Sequence, residues 1–435
     1  MRKVALHTLG CKLNFAETSA IGKQFLDRGF EIVESGEDAD ICVINTCTVT
    51  ERADRECRQI IRRMLRQGRQ PVVVVTGCYA QLQPEEIASI DGVDVVLGTR
   101  EKFSVFEYLP DAKLPSPQVH VSDIDTVDSF GPAYSSEAAN RTRAFLKVQD
   151  GCDYTCSFCT IPLARGDSRS QSLPETIDQA RSLVARGYRE IVLTGVNVGD
   201  YGRKDGRSLL ELLRALSSVE GLERIRVSSI EPNLLTDALI EFVAATKTMC
   251  RHFHIPLQSG CDDVLRVMRR RYTTSGYARL IDRIRRILPD AGIGADVIVG
   301  FPGETDEFFR ASYEFLTGLD LSYLHVFTYS ERTNTPAATL GGRVEPSVRA
   351  RRSEMLRILS QKKRHAFYRQ SLGKPVTVLM ESEIADGLRL GFTDTYVRVG
   401  LPASHTRENT LVRAVVDDVQ DTLCIGSLCE ERMPA

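Results

Sequence analysis

Three cysteines crowd one short stretch of the chain, Cys152-Asp-Tyr-Thr-Cys156-Ser-Phe-Cys159. At this C-x3-C-x2-C spacing a tight loop can point three sulfurs at one centre, and thiolates select soft metals, in an iron–sulfur cluster or a zinc site. A four-iron cubane with three protein ligands keeps one iron open to a substrate or cofactor. Structural zinc is normally closed by a fourth ligand, and the next Cys or His downstream is Cys250. A second set is dispersed: Cys11, Cys47 and Cys78 each follow an apolar run, in HTLGCKLN, VINTCTVT and VTGCYAQL. If those runs are parallel strands, their carboxyl ends share the sheet edge where α/β folds bind ligands. Three thiols delivered there can hold a second cluster, again with one open iron. Cys42, Cys57, Cys250, Cys261, Cys424 and Cys429 have no grouped partner and read as small packing residues.

The elements that must position these thiols are legible in the apolar patterning. Residues 1–110 alternate strand-like runs (KVALHTL, DADICVINT, PVVVVTG, VDVVLGT) with segments of helical spacing at 17–28 and 51–67, which predicts an open, mostly parallel α/β sheet domain. Residues 111–140, rich in Pro, Ser and Asp, read as a linker. From 141 to 370 six strand candidates follow, at 143–149, 190–195, 224–229, 251–257, 294–300 and 323–329, the first five each succeeded by a helical pattern. This predicts a complete or partial (β/α)6 barrel with its site at the C-terminal strand ends, and the Cys152 loop lies at the end of the first strand. Residues 343–369 read as a basic helix. Residues 371–435 hold five short runs separated by polar turns, as in small antiparallel barrels that bind oligonucleotides.

The 435 residues are 42% hydrophobic and 26% charged, which excludes a disordered chain. The longest aliphatic run, 72–75, is far below the roughly 18 residues of a membrane span. The first residues, MRKVALHTLG, carry no apolar h-region of a secretory signal. The expectation is a cytoplasmic protein with no membrane partner, in a reducing compartment where patterned cysteines bind metal rather than form disulfides. The net charge of −2 neither suggests nor excludes a nucleic-acid partner.

The triad, with the aromatic Phe158 before its last cysteine, resembles the radical S-adenosylmethionine (SAM) superfamily. The resemblance implies a [4Fe-4S] cluster on Cys152, Cys156 and Cys159 whose open iron binds the amino and carboxylate groups of SAM, and reductive cleavage of SAM to a 5′-deoxyadenosyl radical. It further implies SAM contacts at later strand ends: Gly195 and Asn197, Ser229 and Glu231, Gln258, and Asp296. Arg165 and Arg169 in IPLARGDSRS can pair with a carboxylate or belong to a solvated loop. Gly10-Cys11-Lys12-Leu13-Asn14, Asn45-Thr46-Cys47-Thr48-Val49-Thr50 and Gly77-Cys78, ahead of that triad and a small β domain, resemble the methylthiotransferase family over essentially the whole chain. That likeness implies a second [4Fe-4S] cluster on Cys11, Cys47 and Cys78, a C-terminal TRAM-like barrel, and a flavodoxin- or ferredoxin-like electron donor. Around Cys11 the residues are similar to the MtaB group, which acts at C2 of N6-threonylcarbamoyladenosine at position 37 in the tRNA anticodon loop. Alternatives are the same chemistry on isopentenyladenosine-37 or on ribosomal protein S12, a methylase with one cluster, and a non-catalytic RNA-binding protein holding zinc.

An RNA partner needs positive charge. Arg58, Arg62, Arg63, Arg66 and Arg69 lie on one helical segment, Arg266, Arg269, Arg270 and Arg271 form a second group, and the basic helix at 343–369 is the third. Each can equally be a solvated face. The C-terminal barrel is net acidic, so Lys374, Arg389, Arg398 and Arg413 would have to gather on one side.

Overall fold

The computed structural model describes residues 1–34, 37–66, 70–135 and 142–429. The apolar runs near the N-terminus form β1 (Lys3–Thr8), β2 (Glu31–Val33), β3 (Ile41–Thr46), β4 (Val72–Gly77) and β5 (Val95–Leu97). Four consecutive valines open β4, and β3 and β4 are buried along their whole length, as central parallel strands covered by helices on both faces must be. A sixth strand, β6 (Gln118–His120), completes the all-parallel order β2-β1-β3-β4-β5-β6. It comes from the 111–140 segment read as a linker. Three residues with two exposed side chains carry no apolar pattern from which to read a strand. The same segment continues to Tyr134, which bridges Leu146 and covers the edge of the next layer.

That layer begins with β7 (Ala144–Lys147), followed by a two-residue antiparallel ribbon of β8 (Gln149–Asp150) and β9 (Arg169–Ser170) that brackets the Cys152 loop. β10 (Glu190–Thr194), β11 (Arg224–Val227), β12 (His252–His254), β13 (Gly292–Val299) and β14 (Tyr323–Thr328) follow. They pair in parallel as β11-β10-β7 and β12-β13-β14, and bridges Ile225–Met249 and Ser229–His254 join the halves into a six-stranded arc, the partial barrel expected. Its outer face, including Ala295, Val297, Val299 and Leu324, is buried beneath the helices. The inner face differs: Asp296 opposes His325 and Ile298 opposes Phe327, and these side chains remain accessible, Phe327 to 45%. The arc is therefore hollow where a closed barrel would be packed with side chains.

The helix Pro346–Arg369 puts Leu356 and Leu359 into the arc's core and Phe367 and Tyr368 into the next one. That last unit comprises β15 (Pro375–Ala385), β16 (Leu388–Thr393), β17 (Arg398–Pro402), β18 (Leu411–Gln420) and β19 (Leu423–Leu428), closed in the order β15-β16-β17-β19-β18. Closure leaves no unpaired sheet edge. No helix among the described residues is long and apolar enough to cross a membrane.

Candidate active site

β1, β3 and β4 are adjacent and parallel, so their carboxyl ends deliver Cys11, Cys47 and Cys78 to one sheet edge. Cys11 caps the helix Lys12–Leu26 and Cys78 opens the helix Cys78–Leu82. Gly10, at φ 98°, lets the Cys11 loop close over Cys47: a Cβ there would stand 2.7 Å from Cys47 Cβ and 2.8 Å from its Sγ. Asn14 ties the loops together, its Nδ2 donating to the carbonyls of Leu9 at 2.7 Å and Thr46 at 3.1 Å. Burial pushes the Cys47 thiol up to about 12, with the nearby Cys78 and Cys11 thiols adding to the rise. Cys11 is raised as well, by burial first, with the Arg165 charge opposing it. Cys11 is nevertheless solvent-exposed.

The second triad leaves β8 on a loop that turns at Gly151, φ 68°, where any side chain would overlap the Asp167 carbonyl oxygen. Cys152 donates its N–H to the Gly166 carbonyl at 2.9 Å, and Ser157 fastens the loop to the Met268 carbonyl through its N–H and to the Val267 carbonyl through its hydroxyl. Burial pushes Cys152 and Cys159 up to about 12, and the neighbouring thiols add to it. Cys156 is raised by burial, against the pull of Arg270, whose Nη1 lies 3.0 Å from its Sγ. Among the described residues no three His, Cys, Asp or Glu side chains converge on a single metal ion. A four-iron cluster asks less convergence, because each thiolate binds a different iron. Crowded, buried thiols are poor anions alone, and metal replaces their protons; the donor set fits such a cluster.

The remaining expected residues separate by depth. Phe158 packs beside Phe301 at 6.5 Å, under the cysteine loop. Asn197 is anchored by its N–H to Gln149 Oε1 at 2.8 Å, yet both its side-chain polar atoms are buried without a protein partner, as are Thr194 Oγ1 and Ser228 Oγ at the same strand tips. Orphaned polar atoms cost about 1–3 kcal/mol each unless a ligand or water meets them, so the β10 and β11 tips, with Gly195 between them, suit a polar ligand such as SAM. Ser229 bridges His254, and Gln258 accepts from the Ile298 N–H at 2.9 Å with a left-handed φ of 68°. Asp296 accepts from His254 Nε2 at 2.9 Å, deeper in the arc. Glu231 is not free: it is ion-paired with Arg270.

Arg270 went unrecognised because it sits in the run Arg269-Arg270-Arg271, which resembles an RNA-binding patch. It is buried, with Nε 2.9 Å from the Tyr272 hydroxyl. Replacing it with Met is expected to destabilise the loop by about 3–5 kcal/mol through the stranded Glu231 carboxylate; a purified variant that holds the wild-type amount of iron at the same melting temperature would refute this role. The other basic groups are partly consumed too. Arg58 pairs with Glu86, Arg349 with Glu331, and Arg352 with Glu304. Arg62, Arg63, Arg66, Arg351, Arg357 and Arg369 are exposed, and Arg69 lies outside the described residues. In the last barrel Arg398 pairs with Glu383, and Arg389 donates to the Glu381 carbonyl.

The two triads meet through Arg165. The helix Ile161–Arg165, starting two residues after Cys159, packs on the helix Cys78–Leu82, with Thr99 Oγ1 donating to the Ala164 carbonyl at 2.8 Å. Arg165 is fully buried; it reaches Glu17 and Asp150 at 2.9 Å and Asn14 Oδ1 at 2.7 Å, so its carboxylate partners belong to this chain. Arg169 lies 3.7 Å from Asp150. On the opposite side Arg332, beyond β14, donates to Thr48 Oγ1 and to Asp54 Oδ2 at 2.6 Å, holding the Cys47 loop to the arc.

Residues 3–98 match the uncharacterized protein family UPF0004, and residues 146–316 match the radical SAM superfamily. The threonylcarbamoyladenosine tRNA methylthiotransferase MtaB of Bacillus subtilis is 42% identical over 407 residues, covering 92% of this chain and 90% of that one. Its namesake in Thermotoga maritima is 34% identical across the whole of both chains. A tRNA-2-methylthio-N(6)-dimethylallyladenosine synthase of Fusobacterium nucleatum is 34% identical over 88% of each. Among solved structures, the radical SAM methyltransferase TsrM of Kitasatospora setae, with cobalamin and a [4Fe-4S] cluster bound, superposes with a TM-score of 0.56 at 17% identity, over 94% of this chain and 84% of that one, a likeness of fold. The chain belongs to the MtaB-like radical SAM methylthiotransferases, an enzyme family whose cofactors are SAM and [4Fe-4S] clusters.

Proposed function

We propose that this chain inserts a methylthio group at C2 of N6-threonylcarbamoyladenosine at position 37 of tRNA, in the cytoplasm. The observation that supports this reading is the direct packing of the helix behind the Cys159 loop on the helix that begins with Cys78, which brings the two cysteine-bearing segments next to each other. Cys152, Cys156 and Cys159 would hold one [4Fe-4S] cluster and Cys11, Cys47 and Cys78 the other. When bound, these groups with SAM supply a carbon radical, a methyl group and a site for sulfur. The chain's own part is placement. Asn197, Gly195, Ser229 and Glu231 line the strand ends where SAM would lie, Phe158 and Phe301 keep the cysteine loop dry, and Arg165 and Arg332 fix the distance between the two sides. An anticodon loop presents its base unstacked at less cost than a duplex, so position 37 can enter the hollow arc. Reduction requires an external one-electron donor of the flavodoxin or ferredoxin kind.

Expression of this chain in a host that lacks the activity, followed by mass spectrometry of digested tRNA nucleosides, tests the reading. The methylthio derivative of threonylcarbamoyladenosine is expected. Its absence with methylthio-isopentenyladenosine present, or with thiolated ribosomal protein S12, would transfer the chemistry to that acceptor.

A further inference from the structure

Side chains along β14, the edge strand of the arc, alternate between two faces as a strand requires. Leu324 and Val326 pack into the core beneath the helices, so Tyr323, His325 and Phe327 face the hollow side. Exposure rises along this row of rings. Tyr323 is buried, with its hydroxyl 2.8 Å from His252 Nε2, whereas Phe327 is 45% exposed. His325, between them, is exposed as well. Its ring lies 5.2 Å from that of Tyr323 and 5.3 Å from that of His254, yet its imidazole makes no hydrogen bond among the described residues. A neutral imidazole with an unused donor and acceptor thus stands beside a bare phenyl ring.

Single exposed apolar side chains are ordinary on a protein surface, and Leu340 and Ile384 need no explanation. Phe327 differs in where it stands. Across the strand pair it opposes Ile298, which joins Phe158 and Phe301 in the apolar cluster under the Cys152 loop. Three residues further on, Ser330 Oγ accepts from the Glu51 N–H at 3.0 Å, and Arg332 then holds Thr48, next to Cys47. Short chains of contact therefore link the segment around Phe327 to one cysteine loop of each triad. The orphaned polar atoms suited to SAM sit at the tips of β10 and β11, in the other half of the arc. That leaves the β14 face for a second planar ligand.

RNA loops offer such ligands. Their unstacked bases bind by stacking on aromatic side chains, and a phenyl ring serves because every base has a π face. His325 beside it can meet the polar edge of the same base. We propose that Phe327 is the stacking face for the purine that an RNA loop delivers between the two thiol triads. This rests on the tRNA reading above and deepens it by assigning the residue that holds the base.

The test uses the full chain with reconstituted clusters and two anticodon stem-loop RNAs. One carries threonylcarbamoyladenosine at position 37, and the other is abasic there. The wild type should bind the intact loop about tenfold more tightly than the abasic one. Phe327→Ala should lose that factor on the intact loop alone, while Phe327→Tyr keeps it; iron per chain and SAM affinity should match the wild type in both. Equal weakening of both RNAs would place the ring on the path of the RNA backbone and overturn the assignment, as would an unchanged preference in Phe327→Ala. Loss of SAM affinity with RNA affinity intact would give the ring to the adenine of the cofactor and overturn it too. If the wild type methylthiolates tRNA and Phe327→Ala does so with the same KM, the proposed function stands and this inference fails. If the wild type modifies ribosomal protein S12 and no RNA, both fall.

Discussion

Alanine in place of Cys152, Cys156 or Cys159 is expected to remove about half of the bound iron and all formation of 5′-deoxyadenosine from SAM. Alanine in place of Cys11, Cys47 or Cys78 should remove the other half, leave deoxyadenosine formation running, and abolish methylthio transfer. The asymmetry follows from placement. The first triad is anchored within the arc, by Cys152 to Gly166 and by Ser157 to Val267 and Met268. The second is built entirely at the edge of the first sheet, from β1, β3 and β4. Iron and sulfide analysis under anaerobic conditions, with chromatography of the SAM products, reads both effects. A Cys78→Ala protein with full iron and full product would remove the second cluster from the account, and the one-cluster methylase would then be the better description. Loss of deoxyadenosine in that variant as well would show that the two triads do not act independently.

The strand framework and the thiol sets were legible because their signals are local. Valine runs give parallel strands, and three cysteines within eight residues give a loop. What stayed hidden depends on partners far apart in the chain. Arg165 meets Glu17 across 148 residues and Arg332 meets Asp54 across 278, and neither pairing has any period to detect. Charge runs misled for a related reason. Arg270, Arg349 and Arg352 sit in basic stretches, but the sequence does not say which face of a stretch is covered, and these three point inward to acidic groups. The 111–140 segment shows the converse: a polar stretch with no pattern still contributes a strand, because β5 offers an edge for Gln118–His120 to pair with.

The largest effect on stability is expected from Glu17→Gln. Glu17 is fully buried and touched by three cations: Lys102 at 2.8 Å, Lys147 at 3.2 Å and Arg165 at 2.9 Å. Asp150, at 2.6 Å from Lys147 and 2.9 Å from Arg165, is the other carboxylate of the cluster. With glutamine at position 17, three buried cations face one carboxylate, and the expected loss is about 3–5 kcal/mol at neutral pH, the range for stranding a buried charge. Glutamine keeps the shape and can still bond, so the loss reports charge. The pH dependence has a fixed sign. Burial alone would raise Glu17 and Asp150, but Arg165, Lys102 and Lys147 outweigh it and hold both below the ordinary carboxylate range. Depressed carboxylates add stability that is complete above their unfolded values, about pH 4, and is lost as the pH falls through the folded ones. The gap in denaturant midpoint between wild type and Glu17→Gln should therefore be constant from pH 7 to pH 5 and narrow below about pH 4. The same change frees Arg165 from its strongest anchor and, through Asn14, loosens the Leu9 and Thr46 carbonyls that set the Cys11 and Cys47 loops. Iron should then be lost from the Cys11, Cys47 and Cys78 site ahead of the Cys152 site. Equal midpoints at pH 7, or iron lost first from the Cys152 loop, would mean that the buried charges neither stabilise the junction nor align its two sides.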